Sequence, residues 1–301
     1  LPQTVYDITP EIKYLATKPP IPGYEEFIGT YLILGEKRAL VDIGPRVAIP
    51  GLLSALSLAG VRPVDIDYII LTHIHIDHAG GTGTAIKEMK NARVLTHSRG
   101  KAHLIDPSVL WQASQDTLGE LAIKYGSYEP VSEERIITAQ EGVKLDLGKG
   151  LTLEIYLTPG HAAHHMSLYE IKNDVLFSGD SAGVYTNGLL RLTTPPTFRL
   201  GESLESLDKM IGLHPKKLGY AHFGCYDNAV ERLHAYRGKL LLVYEIAQSG
   251  AKEGKTVDDV IKLIRAHDRS FDDFEKLDKD IYQREYNLLS DSVRGLMTAK
   301  Q

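Results

Sequence analysis

The segment Tyr68-Ile69-Ile70-Leu71-Thr72-His73-Ile74-His75-Ile76-Asp77-His78-Ala79-Gly80-Gly81 sets three histidines and an aspartate within six residues, directly behind a short apolar run. The run, residues 68–71, suits a buried strand. Imidazole and carboxylate are the donors that Zn, Fe, Mn and related divalent ions accept. Alternation in His73-Ile74-His75 turns both imidazoles to one side of an extended chain. Asp77 and His78 follow where Gly80-Gly81 announces a turn. Four ligand-type residues crowded behind an apolar strand point to a metal centre, not to a loop that happens to be rich in surface histidines.

Outward from this segment, short strands alternate with helices. Upstream, Ile28 to Leu34 and Arg38 to Asp42 read as paired strands around Gly35 and Glu36. Leu52, Leu53, Leu56 and Ala59 recur at helical spacing and stop at Gly60. Downstream come a helix at Ala85 to Met89 and a strand at Arg93 to Leu95. Asp106-Pro107 has the form of a helix start, and residues 98–134 read as a helical insertion between sheet segments. Strands are expected again at Val143 to Leu145, Leu151 to Leu157, Met166 to Ile171 and Val175 to Phe177. A helix at Ser203 to Leu213 and a strand at Lys217 to Tyr220 follow. Beyond Asp227 the apolar spacing is helical throughout, with Val230, Leu233, Tyr236, Leu240 and Val243 forming one stripe.

The His/Asp segment resembles the H-x-H-x-D-H motif of the metallo-β-lactamase superfamily, and three later segments extend the resemblance in the family's order. Thr158-Pro159-Gly160-His161 is similar to its third motif, Gly179-Asp180 within Leu176 to Ser181 to its fourth, and Ala221-His222-Phe223-Gly224 to its last. The resemblance implies an α/β fold, an αββα sandwich with the site along one sheet edge. It implies a catalytic domain over residues 1–227 and a helical extension over 228–301, packed on the core or forming a lid or interface. It also implies two divalent ions, Zn2+ first and Fe or Mn as alternatives. His73, His75 and His161 would hold one; Asp77, His78 and His222 the other; Asp180 would bridge. Such a pair supplies a hydroxide nucleophile without serine or cysteine, and Asp77 would orient it.

The substrate side is expected from looser signals. The Pro-rich loop Lys18 to Phe27 corresponds to a hairpin that often overhangs the site in this superfamily, making Tyr24 and Phe27 expected pocket walls. Tyr185, and with it Ser181, are expected to donate hydrogen bonds to an oxyanion. Two departures from lactonase and glyoxalase II patterns stand out. Ala162-Ala163-His164 replaces the usual small residues after His161, and Gly183 stands where homoserine-lactone lactonases carry tyrosine.

Composition narrows the function classes. The chain has 301 residues, 43% hydrophobic and 24% charged, with a formal net charge of −5. The region beyond Asp227 carries 13 basic and 13 acidic residues, so the negative excess lies before it. An acidic chain without a basic run disfavours a nucleic-acid partner, leaving phosphodiester or nucleic-acid hydrolysis as the alternative to small-molecule acyl hydrolysis. Di-iron redox chemistry on this fold is disfavoured by His75, where that branch usually has Glu, and by the absence of a flavin-binding βαβ pattern. No apolar run reaches the roughly 18 residues of a membrane span. A single cysteine and no basic-then-apolar N-terminal stretch set the expectation of a cytoplasmic protein. Five Asn and seven Gln hint at a thermophilic source. A small-molecule substrate and a homo-oligomer are the expected partners.

Overall fold

Strands buried on both faces need cover on both sides, and the chain supplies it with two sheets between helical layers. The computed structural model describes residues 4–186, 188–271 and 274–299. The first sheet runs in sequence order: β1 (Val5–Thr9), β2 (Ile12–Ala16), β3 (Gly29–Leu34), β4 (Arg38–Val41), β5 (Tyr68–Ile70), β6 (Arg93–His97) and β7 (Ile136–Ala139). Its first four strands pair antiparallel and β4 to β7 pair parallel. The remaining strands are β8 (Lys144–Gly148), β9 (Leu151–Leu157), β10 (Met166–Glu170), β11 (Val175–Gly179), β12 (Val184–Thr186), β13 (Leu189–Arg191), β14 (Lys217–Tyr220) and β15 (Cys225–Asp227). Six of these form the second sheet in the order β15-β14-β11-β10-β9-β8, while β12 and β13 pair as a hairpin.

The helices are α1 (Ile49–Leu58), α2 (Ile76–Ala79), α3 (Thr82–Glu88), α4 (Ser98–Ile105), α5 (Ser108–Leu118), α6 (Glu120–Tyr125), α7 (Leu200–Gly212), α8 (Ala229–Lys252), α9 (Val257–His267) and α10 (Lys279–Thr298). The two-residue period of a strand distributes the core. On β3, Tyr31 and Ile33 point at the second sheet, meeting Leu153, Leu168 and Phe177. Leu32 between them points the other way, into a cluster with Leu52 and Leu56 of α1 and Ala85 of α3. The outer face of the second sheet, through Leu176, Leu218 and Tyr220, is covered by α7, α8, α9 and α10. The architecture is an αββα sandwich. Among the described residues, no helix is long and apolar enough to cross a membrane.

Several elements have no counterpart in the sequence expectations: β1, β2, β7, the β12–β13 hairpin and β15. All six strands are short, three to five residues each, and a run that short gives periodicity little to act on.

Candidate metal centre

The parallel strands β4, β5, β11 and β14 all end at one edge of the sandwich, and β9 runs in the same sense. Loops leaving that edge carry the candidate donors. After β5, the extended residues 73–75 give way to the single turn of α2, which brings Asp77 and His78 back beside His73. His161 lies in the β9–β10 loop, Asp180 follows β11, and His222 follows β14.

The structure brings all seven residues together in overlapping groups: His73, His75 and His161; Asp77, His78 and His222; and His73, His78 and Asp180. In the first group, His75 Nδ1 lies 3.0 Å from His73 Nε2 and 2.9 Å from His161 Nε2. Three imidazole nitrogens thus converge on one point. In the second group, Asp77 Oδ2 lies 3.6 Å from His78 Nε2 and 3.5 Å from His222 Nε2. Asp180 stands between the two groups. Its Oδ1 is 3.5 Å from His78 Nε2 and 3.6 Å from His222 Nε2, and its Oδ2 is 3.7 Å from His161 Nε2.

Backing contacts decide which nitrogen each imidazole presents. His161 Nδ1 donates to the Thr193 carbonyl (2.8 Å) and His222 Nδ1 to the Phe27 carbonyl (3.1 Å), so both offer Nε2 to the site. His78 Nδ1 is held by Asp42 Oδ2 at 3.0 Å. Asp42 also accepts from the backbone N–H and hydroxyl of Thr72, at 2.8 and 2.7 Å. That hydroxyl in turn faces His73 Nδ1 at 3.1 Å. Asp42 is therefore a buried anchor for both halves of the centre. The sequence reading did not single it out, although a lone acid closing the apolar strand Ala39-Leu40-Val41 is a buried charge in need of partners.

His165, which also lies outside the donor set, positions Asp180. Its Nε2 accepts the Asp180 N–H at 3.0 Å, which leaves Nδ1 protonated beside the hydroxyls of Thr158 and Ser181, each at 2.9 Å. The ring is fully buried.

The donor set suits divalent metal ions. His78 Nε2 and Asp180 Oδ1 are buried, without a hydrogen-bond partner, and face each other across the junction of the groups. Polar atoms sealed from water in this way carry a desolvation cost that a shared cation removes. Burial drives the pKa of His161 down to about 4 and of His222 to about 3, leaving neutral imidazoles as ligands need to be. At His78 burial acts in the same direction, but the Asp77, Asp180 and Asp42 carboxylates overcome it and hold the pKa up, at about 10. Asp180 is raised by burial against the pull of the His78 imidazolium, with Asp77 and Asp42 adding to the rise.

A cleft of about 400 Å3 opens on the centre, with His75, Asp77, His161 and Asp180 in its wall. A larger cavity of about 870 Å3 lies among Tyr6, Tyr14, Cys225 and Arg284, and none of the seven donors lines it.

The expected substrate-side residues fall elsewhere. Tyr185 does not line the cleft; its ring packs on Tyr226 (4.8 Å) and under the Arg232 guanidinium (4.2 Å), partly buried against the core cluster that the helical layer covers. The Ser181 hydroxyl is committed to the Thr158 carbonyl at 3.0 Å. Phe27 stacks flat on the His222 ring, with centroids 3.8 Å apart, and so backs a donor instead of facing substrate. Tyr24 is buried edge-on against Phe27 and Tyr125. Apolar character alone could not distinguish a residue behind the donors from one in front of them.

A family model described as the metallo-beta-lactamase superfamily matches residues 25–222, and the chain belongs to this family of metal-dependent hydrolases. It is 35% identical over 217 residues, 70% of this chain and 78% of the relative, to a metallo-beta-lactamase fold-containing protein of Sulfurisphaera tokodaii. Over 188 residues it is 29% identical to a probable metallo-hydrolase of Methanocaldococcus jannaschii, covering 62% of this chain and 83% of that one. Among solved structures, an archaeal metallo-beta-lactamase superfamily protein from Sulfolobus tokodaii superposes with a TM-score of 0.67 at 32% identity, over 77% of this chain and 86% of that one. A metallo-beta-lactamase family protein from Thermus thermophilus shares the fold over 94% of this chain and 93% of its own, with a TM-score of 0.66 at 22% identity.

Proposed function

We propose that the chain is a hydrolase of a small-molecule ester, thioester, lactone or amide that works with two divalent metal ions, zinc foremost. The observation that carries this reading is the buried, partnerless pair His78 Nε2 and Asp180 Oδ1 at the meeting point of two donor triads. His73, His75 and His161 would hold one ion, Asp77, His78 and His222 the other, with Asp180 shared. When bound, the ions lower the pKa of a coordinated water toward neutrality and polarise the scissile carbonyl.

The chain's own part is to orient and to exclude. Asp77 lines the cleft with 22% of its side chain exposed, so its carboxylate can accept a hydrogen bond from the attacking water and fix its direction. Asp42, the Thr193 carbonyl and the Phe27 carbonyl fix the imidazoles of His78, His161 and His222 through Nδ1 and keep Nε2 turned to the site, which removes reorganisation from the reaction. Helix α5 and residues 192–197 shield the cleft from bulk water.

Elemental analysis of reconstituted protein, with a panel of ester, thioester, lactone, β-lactam and phosphodiester substrates, tests the reading. Two ions per chain are expected at saturation. Hydrolysis of a carbonyl substrate should disappear with chelator and return with metal. A single ion at saturation, or turnover confined to phosphodiesters, would count against it.

A further inference from the structure

Two segments that carry none of the donors build the outer part of the cleft. Helix α5 contributes Leu110, Ala113 and Leu118, and α10 contributes Leu288. Pro195 and Pro196 close the wall between them. None of the described lining residues is Lys or Arg. Apart from the donors Asp77 and Asp180, the charged lining residue is Asp291, which pairs with Arg294 at 2.7 Å. Arg294 itself is half-exposed and not part of the wall.

Resting on the hydrolase reading above, we infer that the substrate carries an uncharged, apolar acyl group, seated between α5 and α10. A substrate carboxylate or phosphate at that end would lose its hydration, gain no cation in exchange, and meet the Asp291 carboxylate. An alkyl chain loses only its contact with water there, and leucine, alanine and proline side chains replace it; the hydroxyls of Ser114, Thr117, Thr193, Thr194 and Ser292 in the same lining already donate to backbone carbonyls. Each methylene buried in this way raises apparent affinity about fourfold. A 400 Å3 cleft is at the small end of ligand sites, so the gain ends after a chain of moderate length.

The test is a series of thioesters with one leaving group and acetyl, butanoyl, hexanoyl or octanoyl chains. A hexanoyl analogue ending in a carboxylate completes the set. With metal-reconstituted protein, kcat/KM should climb about fourfold per methylene before levelling. The carboxylate-terminated analogue should fall at least tenfold below hexanoyl. Inverted binding of its free carboxylate lowers kcat and KM together, so kcat/KM is the fair comparison. Leu118→Arg, on a partly buried position at the end of α5 where a long side chain can reach water, should lift the carboxylate analogue at least tenfold relative to hexanoyl. Calorimetric binding of butanamide, hexanamide and octanamide reads the same wall without turnover.

Amide affinities that do not grow with chain length would overturn the inference even if no substrate turns over. Metal-dependent turnover that favours the carboxylate analogue would overturn it while leaving the hydrolase reading intact. Length-dependent amide binding with no metal-dependent hydrolysis anywhere in the series would support the apolar seat and count against the hydrolase reading instead.

Discussion

Asp42 sits in the left-handed region with φ near +50°, a conformation that costs a non-glycine residue energy and here aims its carboxylate inward. One oxygen takes the Thr72 N–H, the other is shared by the Thr72 hydroxyl and His78 Nδ1. Asp42→Asn should keep the bond from the Thr72 N–H and tolerate the backbone, yet lose the charge that favours His78 Nδ1–H. Metal affinity is expected to fall 10- to 100-fold with the fold intact, measured by competition with a chelator. Affinity within twofold of wild type would show that the charge plays no part. His78 allows a second prediction. With its pKa held up, at about 10, it carries both ring protons in metal-free protein at pH 7.5, whereas His161 and His222 are neutral. Coordination through Nε2 requires the proton on that atom to leave. Metal binding at pH 7.5 should therefore release at least one proton per chain, with the His78 share vanishing above pH 10. Calorimetry in buffers of different ionisation enthalpy reads this number, and zero release would contradict the assigned state.

At the scale of elements, the donors were legible because each follows an apolar strand and lies in a loop whose residue types have little other use there. The spacing of His73, His75, Asp77 and His78 shows on the chain; so do His161, Asp180 and His222 once the resemblance orders them. Asp42 was harder to read, because its role is set by partners 30 and 36 positions away, whereas His165 falls where the family resemblance commonly has a histidine behind the donors. Tyr185 shows the opposite failure: closeness in sequence to Asp180 does not survive the β12–β13 hairpin, which carries the ring into the helical layer. The strand-to-loop junction at Gly179 shows how tightly these elements meet. Its φ is near +52°, and a Cβ there would stand 2.5 Å from His165 Nε2 and 2.8 Å from Thr72 Oγ1. Gly179→Ala would thus press on the groups that hold Asp180 and Asp42. Left-handed strain and overpacking together predict a loss of about 2–5 kcal/mol in denaturant unfolding, with reduced metal content. A loss under 0.5 kcal/mol would mean that the junction relaxes freely.

For the whole molecule, the question is how a helix near the chain's far end comes to wall a site built by loops of the sandwich. Helix α10 is fastened to residues 192–194: the Ser292 hydroxyl donates to the Leu192 carbonyl at 2.7 Å, and the Thr194 hydroxyl donates to the Ser292 carbonyl at 2.9 Å. Gly295 allows this approach, since a Cβ on it would lie 1.9 Å from the Thr194 carbonyl oxygen. One turn before Leu288, the helix buries a charge cluster. Glu285 (1% exposed) pairs with Arg191 of β13 (9%) and with Arg284 (4%), whose guanidinium also reaches the Gly23 carbonyl. Arg284 lies 5.4 Å from the Phe27 ring, and that ring stacks on His222. A single carboxylate is thus shared by two buried cations that tie α10 to the β12–β13 hairpin and to the loop behind the metal centre. Glu285→Ala would leave both arginines facing each other without their counter-charge, and removing one partner of a buried pair costs about 3–5 kcal/mol. The expected result is a loss of that size in global unfolding with metal stoichiometry retained, because no donor is touched. Loosening α10 should also move Leu288, so kcat/KM should drop more for octanoyl than for acetyl substrates. Equal losses on both would mean that the cluster stabilises the fold without shaping the cleft, and unchanged stability would mean that water reaches the arginines once Glu285 is gone.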